Sequence, residues 1–369
     1  MKQFLIIHLY SNGDCLYATT LAQQLKHDNP GCKITWAIAP FCAAIISNNP
    51  FVDDIWKVEY MTDRKIETFK NNREKLFSEA KAKNYDRIFF TQLIEENMRF
   101  YDGLVRTSIF SAFGMPVSVS VQPVLNVRED EKDKVKKFVE ANKIEATDFV
   151  ILFECSPQSG QLAMTNERAF KLSGKIIEDN PQCKIILSSQ HSFSSDVKAI
   201  IDGSVLTLRE TAYLTQFCHL LIGCSSGITW SSTSTAAKPI PSIQLLDKNA
   251  YIFNSPVIDH KRVGLPYDRW LELYDFDDDV IADCVSTIIR EGFPITRTAF
   301  GQTSKQTFRL YRGIIHRYIK EGKFSAILFF IKNNFKIHGF NFQMLKSILK
   351  GFLFFPAQYF SDRFKKRSN

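Results

Sequence analysis

The sequence predicts an α/β protein of two doubly wound parallel sheets facing across a cleft, with a basic helical extension at the C-terminus. Three observations predict it. Short apolar runs alternate with amphipathic stretches over residues 4–91, and the alternation resumes over 149–290. Between the two it lapses, around Pro116, Pro123 and the charge-rich stretch Arg128 to Lys137. Beyond residue 300 the composition changes: fourteen Lys and Arg stand against two acidic residues, Glu321 and Asp362, a net of +12. That leaves −4 on residues 1–300 out of a total of +8, so the basicity belongs to the tail.

Phe4 to Leu9 is a continuous apolar run, as expected of a strand covered on both faces. Leu16 to Lys26 reads as a helix that stops at Asn29-Pro30-Gly31. Ile34 to Ile38 is a second strand, Pro40 to Ser47 a short helix and Asp54 to Val58 a third strand. A charged amphipathic helix over 66–83 leads to a fourth strand, Arg87 to Thr91. The second unit opens with a helix inside the charged stretch. Strands follow at Phe149 to Phe153, Lys184 to Ser188, His219 to Gly223 and Ile240 to Leu245. Helices are expected at Asn166 to Glu178, Glu210 to Phe217, after Gly227 and at Asp279 to Arg290. The expected units are 1–127, 128–300 and the tail 301–369.

Hydrophobic residues make up 45% of the chain and charged residues 23%, enough apolar material for two cores. The eight cysteines are scattered, with no CxxC pair, and several fall inside apolar patterns. Reduced, buried thiols in a cytosolic protein are expected, with no clustered ligands for zinc. The opening MKQFLIIHLYSNGD breaks its apolar run at His8 and has no small-residue cleavage site, so it reads as a strand and not as a leader. No stretch approaches the ~18 apolar residues a spanning helix needs. A cytoplasmic protein is expected.

Ligands of such sheets bind beyond the carboxyl ends of strands, which singles out three loops. The first is Ser11-Asn12-Gly13-Asp14, between a strand and a helix. Gly13 permits a sharp turn, and the helix start attracts anions. Asp14 is either an N-cap or a general base able to take a proton from an attacking hydroxyl; the turn alone does not decide. The second is Glu154 to Gln161, where Ser156, Gln158, Ser159, Gly160 and Gln161 either receive phosphate oxygens or form an ordinary polar turn. The third, Gly223 to Gly227, places Ser225, Ser226 and Gly227 at a strand-to-helix junction. It either aims N–H groups at a diphosphate or starts a small-residue packing face that runs from Thr229 to Thr235. The lysine of a P-loop is absent, which argues against an NTPase, and the first turn lacks GxGxxG, which argues against a nicotinamide enzyme. Asp277-Asp278-Asp279 precedes a periodic helix and is expected to cap it rather than bind metal. His219 is expected in the core.

These strings resemble the glycosyltransferase family that includes the bacterial lipopolysaccharide heptosyltransferases (glycosyltransferase family 9, GT-B fold). The resemblance runs through Phe4 to Asp14, Ala18-Thr19-Thr20, Leu25, Asn29-Pro30, Ile34-Thr35-Trp36, Asn49 to Ile55 and Tyr85-Asp86-Arg87-Ile88. It resumes at Cys224-Ser225-Ser226-Gly227 and Lys238-Pro239, and covers about residues 1–295. The resemblance implies a nucleotide-sugar donor held by the C-terminal domain and a glycan or glycolipid acceptor held by the N-terminal one. It implies inverting transfer without a metal or other cofactor, with Asp14 as the base and with Asn12 and Gly13 beside the donor. Such an enzyme would serve lipopolysaccharide or capsule-type surface glycan biosynthesis. This chain departs from the pattern at four places. Ser225 and Ser226 replace an Asp and a Thr, Trp230 stands for a His, and His8 for an Arg. Gln158, Ser159, Gly160 and Gln161 occupy the region of a phosphate-binding Lys. The departures motivate a second expectation, a non-catalytic nucleotide- or glycan-binding member of the same fold.

The tail carries twelve of the 32 phenylalanines. Leu310, Tyr311, Ile314, Ile315, Tyr318 and Ile319 form one helical stripe, opposite Arg309, Arg312, Arg317 and Lys320. A second stripe runs from Phe342 through Leu345, Ile348, Leu349 and Phe352 to Leu353, opposite Lys346 and Lys350. Basic amphipathic helices suit an anionic membrane surface, here the inner face of the cytoplasmic membrane, holding the protein there peripherally. The alternative is packing on the protein or on a partner subunit. Nothing in the chain points to base readout, so nucleic acid is not expected.

Overall fold

The computed structural model describes residues 1–155, 157, 162, 164–247, 254–274, 276–303 and 305–365, with side chains up to residue 353. Two parallel sheets form, each wrapped by helices. The first unit runs β1 (Gln3–Ile7), α1 (Asn12–Asp28), β2 (Lys33–Ile38), β3 (Asp54–Lys57), α2 (Ile66–Ala82), β4 (Arg87–Phe90) and α3 (Val105–Phe113). Its strand order is β3-β2-β1-β4. The apolar run at the start becomes the central β1, fully covered from Leu5 to Ile7, because it is flanked by a strand on each side and by helices on each face.

The second unit runs α4 (Glu129–Ala141), β5 (Phe149–Glu154), α5 (Asn166–Asp179), β6 (Cys183–Ser188), β7 (Ile200–Asp202), α6 (Leu208–Leu214), β8 (Leu220–Gly223), α7 (Gly227–Ser231), β9 (Ser242–Leu245), α8 (Pro256–Val263), β10 (Trp270–Leu273), α9 (Asp278–Glu291) and α10 (Phe293–Phe300). Its order, β10-β9-β8-β5-β6-β7, reverses direction between β5 and β8. The first sheet reverses between β1 and β4. Both crevices are topological switch points, where ligands enter such sheets.

Several elements differ from expectation. The strands β7 and β10 and the helices α3, α8 and α10 were not expected. Strand β7 is three residues long, too short for a periodic signal. Strand β10 contains Glu272, which interrupts its apolar run but is satisfied by Ser255 Oγ at 2.6 Å and the Val257 N–H at 2.9 Å. His219 is not a core residue. It lies exposed just before β8, its ring stacked on Phe149 at 5.3 Å and its Nδ1 accepting the Val150 N–H at 3.1 Å. Asp277 caps α9, accepting the Val280 N–H at 2.9 Å. All eight cysteines are free and buried.

The tail forms α11 (Arg309–Lys320), α12 (Phe324–His338) and α13 (Phe342–Lys365). Its first stripe packs inward. Tyr311, Ile314, Ile315 and Tyr318 join Tyr101, Phe330, Met344 and Ile348 in one core. Tyr318 donates its hydroxyl to the Glu95 and Glu96 carbonyls at 2.9 and 3.1 Å, and Asn334 donates to the Tyr101 carbonyl at 3.1 Å. The α11 stripe is therefore a packing face on the first unit and not a membrane face. Among the described residues, no helix is long and apolar enough to cross a membrane.

Candidate functional site

The site is built where α1 leaves β1. Two side chains fix that exit. The Gln92 amide oxygen, just past β4, accepts the N–H groups of Leu9 and Tyr10 at 2.9 and 3.1 Å, bridging the switch crevice. The Trp36 indole donates to the His8 carbonyl at 2.9 Å. His8 itself is buried, and burial drives its pKa down to about 3, so the ring is neutral. Where the family resemblance would place a cation, this chain has an uncharged imidazole.

Ser11 then takes φ 71°, a left-handed conformation for a residue with a Cβ, and its carbonyl accepts the Cys15 N–H at 2.9 Å. Ser11 is the cap position and makes no side-chain cap bond. Asp14 sits three positions later, inside the first turn, so it is not the N-cap that the sequence left open. Its carboxylate is half-buried, and burial raises its pKa to about 7 against the opposing pull of Arg64. A carboxylate tuned to that range is suited to taking a proton near neutrality.

The opposite wall belongs to β8 and α7. Ser225 also has a left-handed φ, 52°, and its hydroxyl donates to the Asn254 carbonyl at 2.6 Å. Ser225 and Ser226 are buried. Glu154, at the end of β5, reaches across the second switch crevice. It accepts the Cys224 N–H at 2.7 Å, the Ile228 N–H at 3.1 Å and the Thr229 hydroxyl at 2.9 Å. Thus two N–H groups of the turn expected to face a diphosphate already face an internal carboxylate. Burial raises the Glu154 pKa, and these hydrogen bonds pull it back. Sequence reasoning gave Glu154 no role; its partners lie some seventy residues away, so nothing local marks it.

Trp230 was expected at the donor. Its indole is 3% exposed and turned onto the first unit, 5.1 Å edge-on from the Tyr17 ring. A Cβ at position 13 would stand 3.1 Å from the Trp230 Cδ1, so Gly13 is what lets the two loops meet. Asn12 and Gly13 open α1, and Gly227 opens α7. The structure thus brings Gly13, in the turn that also carries Asn12 and Asp14, against Trp230 at the seam between the units. Ser156, Gln158, Ser159, Gly160 and Gln161 lie outside the described residues.

No family model and no curated protein matches the sequence. Solved structures do match. The chain is similar to the glycosyl transferase family 9 structure from Veillonella parvula DSM 2008, at 15% identity over 79% of this chain and 91% of that one, with a TM-score of 0.54. It is also similar to the E. coli ADP-heptose lps heptosyltransferase II, at 15% identity over 79% of this chain and all (100%) of that one, with a TM-score of 0.53. What is shared at this identity is the arrangement of two facing parallel-sheet domains: the chain has the GT-B fold.

Proposed function

We propose that this chain is a glycosyltransferase. It moves a sugar from a nucleotide-sugar donor to a hydroxyl of a surface-glycan acceptor, with inversion and without a metal. The observation that carries the reading is Asp14, a carboxylate tuned by burial to about 7 in the turn that leaves β1 beside the switch crevice of the first sheet of a GT-B fold. Asp14 accepts the acceptor's hydroxyl proton as that oxygen attacks the anomeric carbon from the face opposite the leaving nucleoside diphosphate. Glu154 already holds two N–H groups of the β8–α7 turn. The leaving diphosphate is therefore assigned to the start of α1, at Asn12 and Gly13, and to the 156–161 loop. The ADP-heptose enzyme sharing the fold supports a nucleotide-sugar donor of this class. Asp14→Asn is expected to abolish transfer while leaving nucleotide-sugar affinity, read by thermal shift, nearly intact. Unchanged turnover in that variant would remove Asp14 from the chemistry.

A second reading is favoured by Glu154 and Trp230, which fill part of the donor wall with the chain's own groups. It makes the protein a nucleotide- or glycan-binding member that does no chemistry. A nucleotide sugar that stabilises the wild-type fold yet is never turned over, with or without acceptor, selects this reading.

The tail is assigned to an anionic membrane surface at the cytoplasmic face. With α11 turned inward, the face available is on α12, α13 and the turn between them, where Phe324, Leu328, Phe340, Phe342, Leu349 and Leu353 are exposed among lysines. The net of +12 over 301–369 favours anionic lipid. The full chain is expected to sediment with phosphatidylglycerol vesicles, and Phe342→Ser with Leu353→Ser to release it. Equal sedimentation of the double variant would show that this face is not the contact.

A further inference from the structure

Between the exit of β1 and the tail helix α11 lies a cavity of about 360 Å³. One side is Tyr10, Arg64 and Met98 from the first unit; the other is Leu310, Ile314 and Arg317 from α11. Among the described residues, no Asp or Glu lines it. Its walls are largely apolar; the Tyr318 hydroxyl is bonded to the Glu95 and Glu96 carbonyls, and two buried polar atoms of the lining lack partners among the described residues. The Tyr10 side chain is 6% exposed, and its hydroxyl has no hydrogen-bond partner among the described residues. Arg317 gives its Nε to Glu321 at 2.9 Å, while its buried Nη2 has no partner. Arg64 forms no ion pair among the described residues. Three carboxylates act on Tyr10 from outside the lining: Asp63, which pairs with Lys65 at 3.6 Å, Asp14, whose charge is met by Arg64, and Glu95, which pairs with Arg73 at 3.1 Å. Buried donors left unmatched are costly, and a ligand oxygen would satisfy the Tyr10 hydroxyl and Arg317 Nη2, with the exposed Arg64 adding its charge at the rim.

We infer that this cavity binds an acidic amphiphile: a phosphate or carboxylate placed among Tyr10, Arg64 and Arg317, with an apolar segment along Leu310 and Ile314. The size falls at the small end of ligand sites. Arg64 is also the charge that acts on Asp14, so the cavity opens beside the base. The identification of its occupant as the anchored end of the acceptor rests on the transferase reading; the binding chemistry does not. It gives the tail a role in the site itself, because α11 supplies half of the wall, and the exposed apolar face of α12 and α13 belongs to the same helical unit.

The test is calorimetric titration of the full chain with hexyl phosphate, inorganic phosphate and hexyl glucoside, with no nucleotide present. Hexyl phosphate is expected to bind at least about tenfold more tightly than either the headgroup or the neutral amphiphile alone, because only it meets both walls. Arg64→Gln, at an exposed position, and the isosteric Tyr10→Phe are each expected to weaken it by about tenfold with melting temperature kept. Hexanoate in place of hexyl phosphate separates a carboxylate from a phosphate preference. Equal affinity for the neutral glucoside, or a hexyl phosphate affinity unmoved by both variants, overturns the proposal. If the variants lose binding while no nucleotide sugar is ever turned over, the cavity stands and the transferase reading falls. Sugar transfer with no hexyl phosphate binding overturns the cavity alone.

Discussion

Asp14 carries a conflict that can be measured. Its folded pKa of about 7 stands well above the ordinary 3.8, because burial disfavours the charged form more than Arg64 favours it. For an acid raised on folding, the unfolded chain loses its proton first. The native state is therefore penalised as pH rises from about 4 to about 7 and stays penalised above that. Asp14→Asn removes the penalty: it is expected to stabilise the protein by about 2 kcal/mol at pH 8, after discount for the water that reaches the carboxylate, and by nothing near pH 4. Urea unfolding at the two pH values checks this, and a variant equally stable to wild type at pH 8 would mean the carboxylate is not strained by burial. In wild type the transfer rate should climb with pH through about 7 as Asp14 loses its proton. At this scale the sequence was informative but incomplete. The turn at 11–14 marked Asp14 as a residue to watch, and only the backbone, with Ser11 in the cap position, removed the N-cap alternative. Trp230 was legible as a departure from a pattern, yet its contact with Tyr17 depends on how two distant loops meet.

Among elements, the turn from β8 into α7 depends on a side chain from another strand. Glu154 receives the Cys224 and Ile228 N–H groups and the Thr229 hydroxyl. Glu154→Ala leaves the two N–H groups unmatched, while the Thr229 hydroxyl keeps the Gln244 amide oxygen at 3.2 Å, and is expected to cost about 3 kcal/mol. Glu154→Gln keeps one accepting oxygen and should cost less. The ordering Ala worse than Gln, read from urea midpoints at constant m-value, is the check; equal losses in the two variants would mean that charge, not acceptor geometry, holds the turn. Central strands such as β1, β5 and β8 were legible because strands covered on both faces are written as unbroken apolar runs. The turn at 223–228 was legible as a small-residue junction but not as an occupied one, since nothing in a local window encodes a partner from β5. The tail stripes show the same limit. Periodicity located α11 and α13, but the same stripe serves a core or a surface, and α11 went to the core.

For the whole molecule, the question is what holds the two units in register. Besides the hydrogen bonds of Gln122, Pro123 and Leu125 to Thr233 and Thr235, three side-chain contacts stand out at the seam. Trp230 sits on Tyr17. Arg209, paired with Glu131 at 2.8 Å, sends its guanidinium to the carbonyls of Ala44 and Ser47 at 3.2 and 2.9 Å. Arg106 of α3 lies 4.4 Å over the Tyr17 ring and meets Asp259 of α8 at 2.9 Å, both side chains fully buried. The Arg106–Asp259 contact is one of charges rather than a straight hydrogen bond, since the Asp259 oxygens have no hydrogen-bonded partner among the described residues. Burial raises the Asp259 pKa to about 6, and Arg106 is what keeps it from rising further. Two such charges cost more to desolvate than their attraction returns, but removing one alone is worse than removing both. Arg106→Met should therefore destabilise by about 3–5 kcal/mol near pH 8. The loss should shrink toward pH 5, because the orphaned Asp259 can then be protonated in the folded state. Adding Asp259→Leu to Arg106→Met should restore most of the stability at pH 8 and abolish the pH dependence of the loss. Should the double variant remain as unstable as the single one, the pair would be holding the units together by its geometry, and hydrophobic contact alone would not replace it.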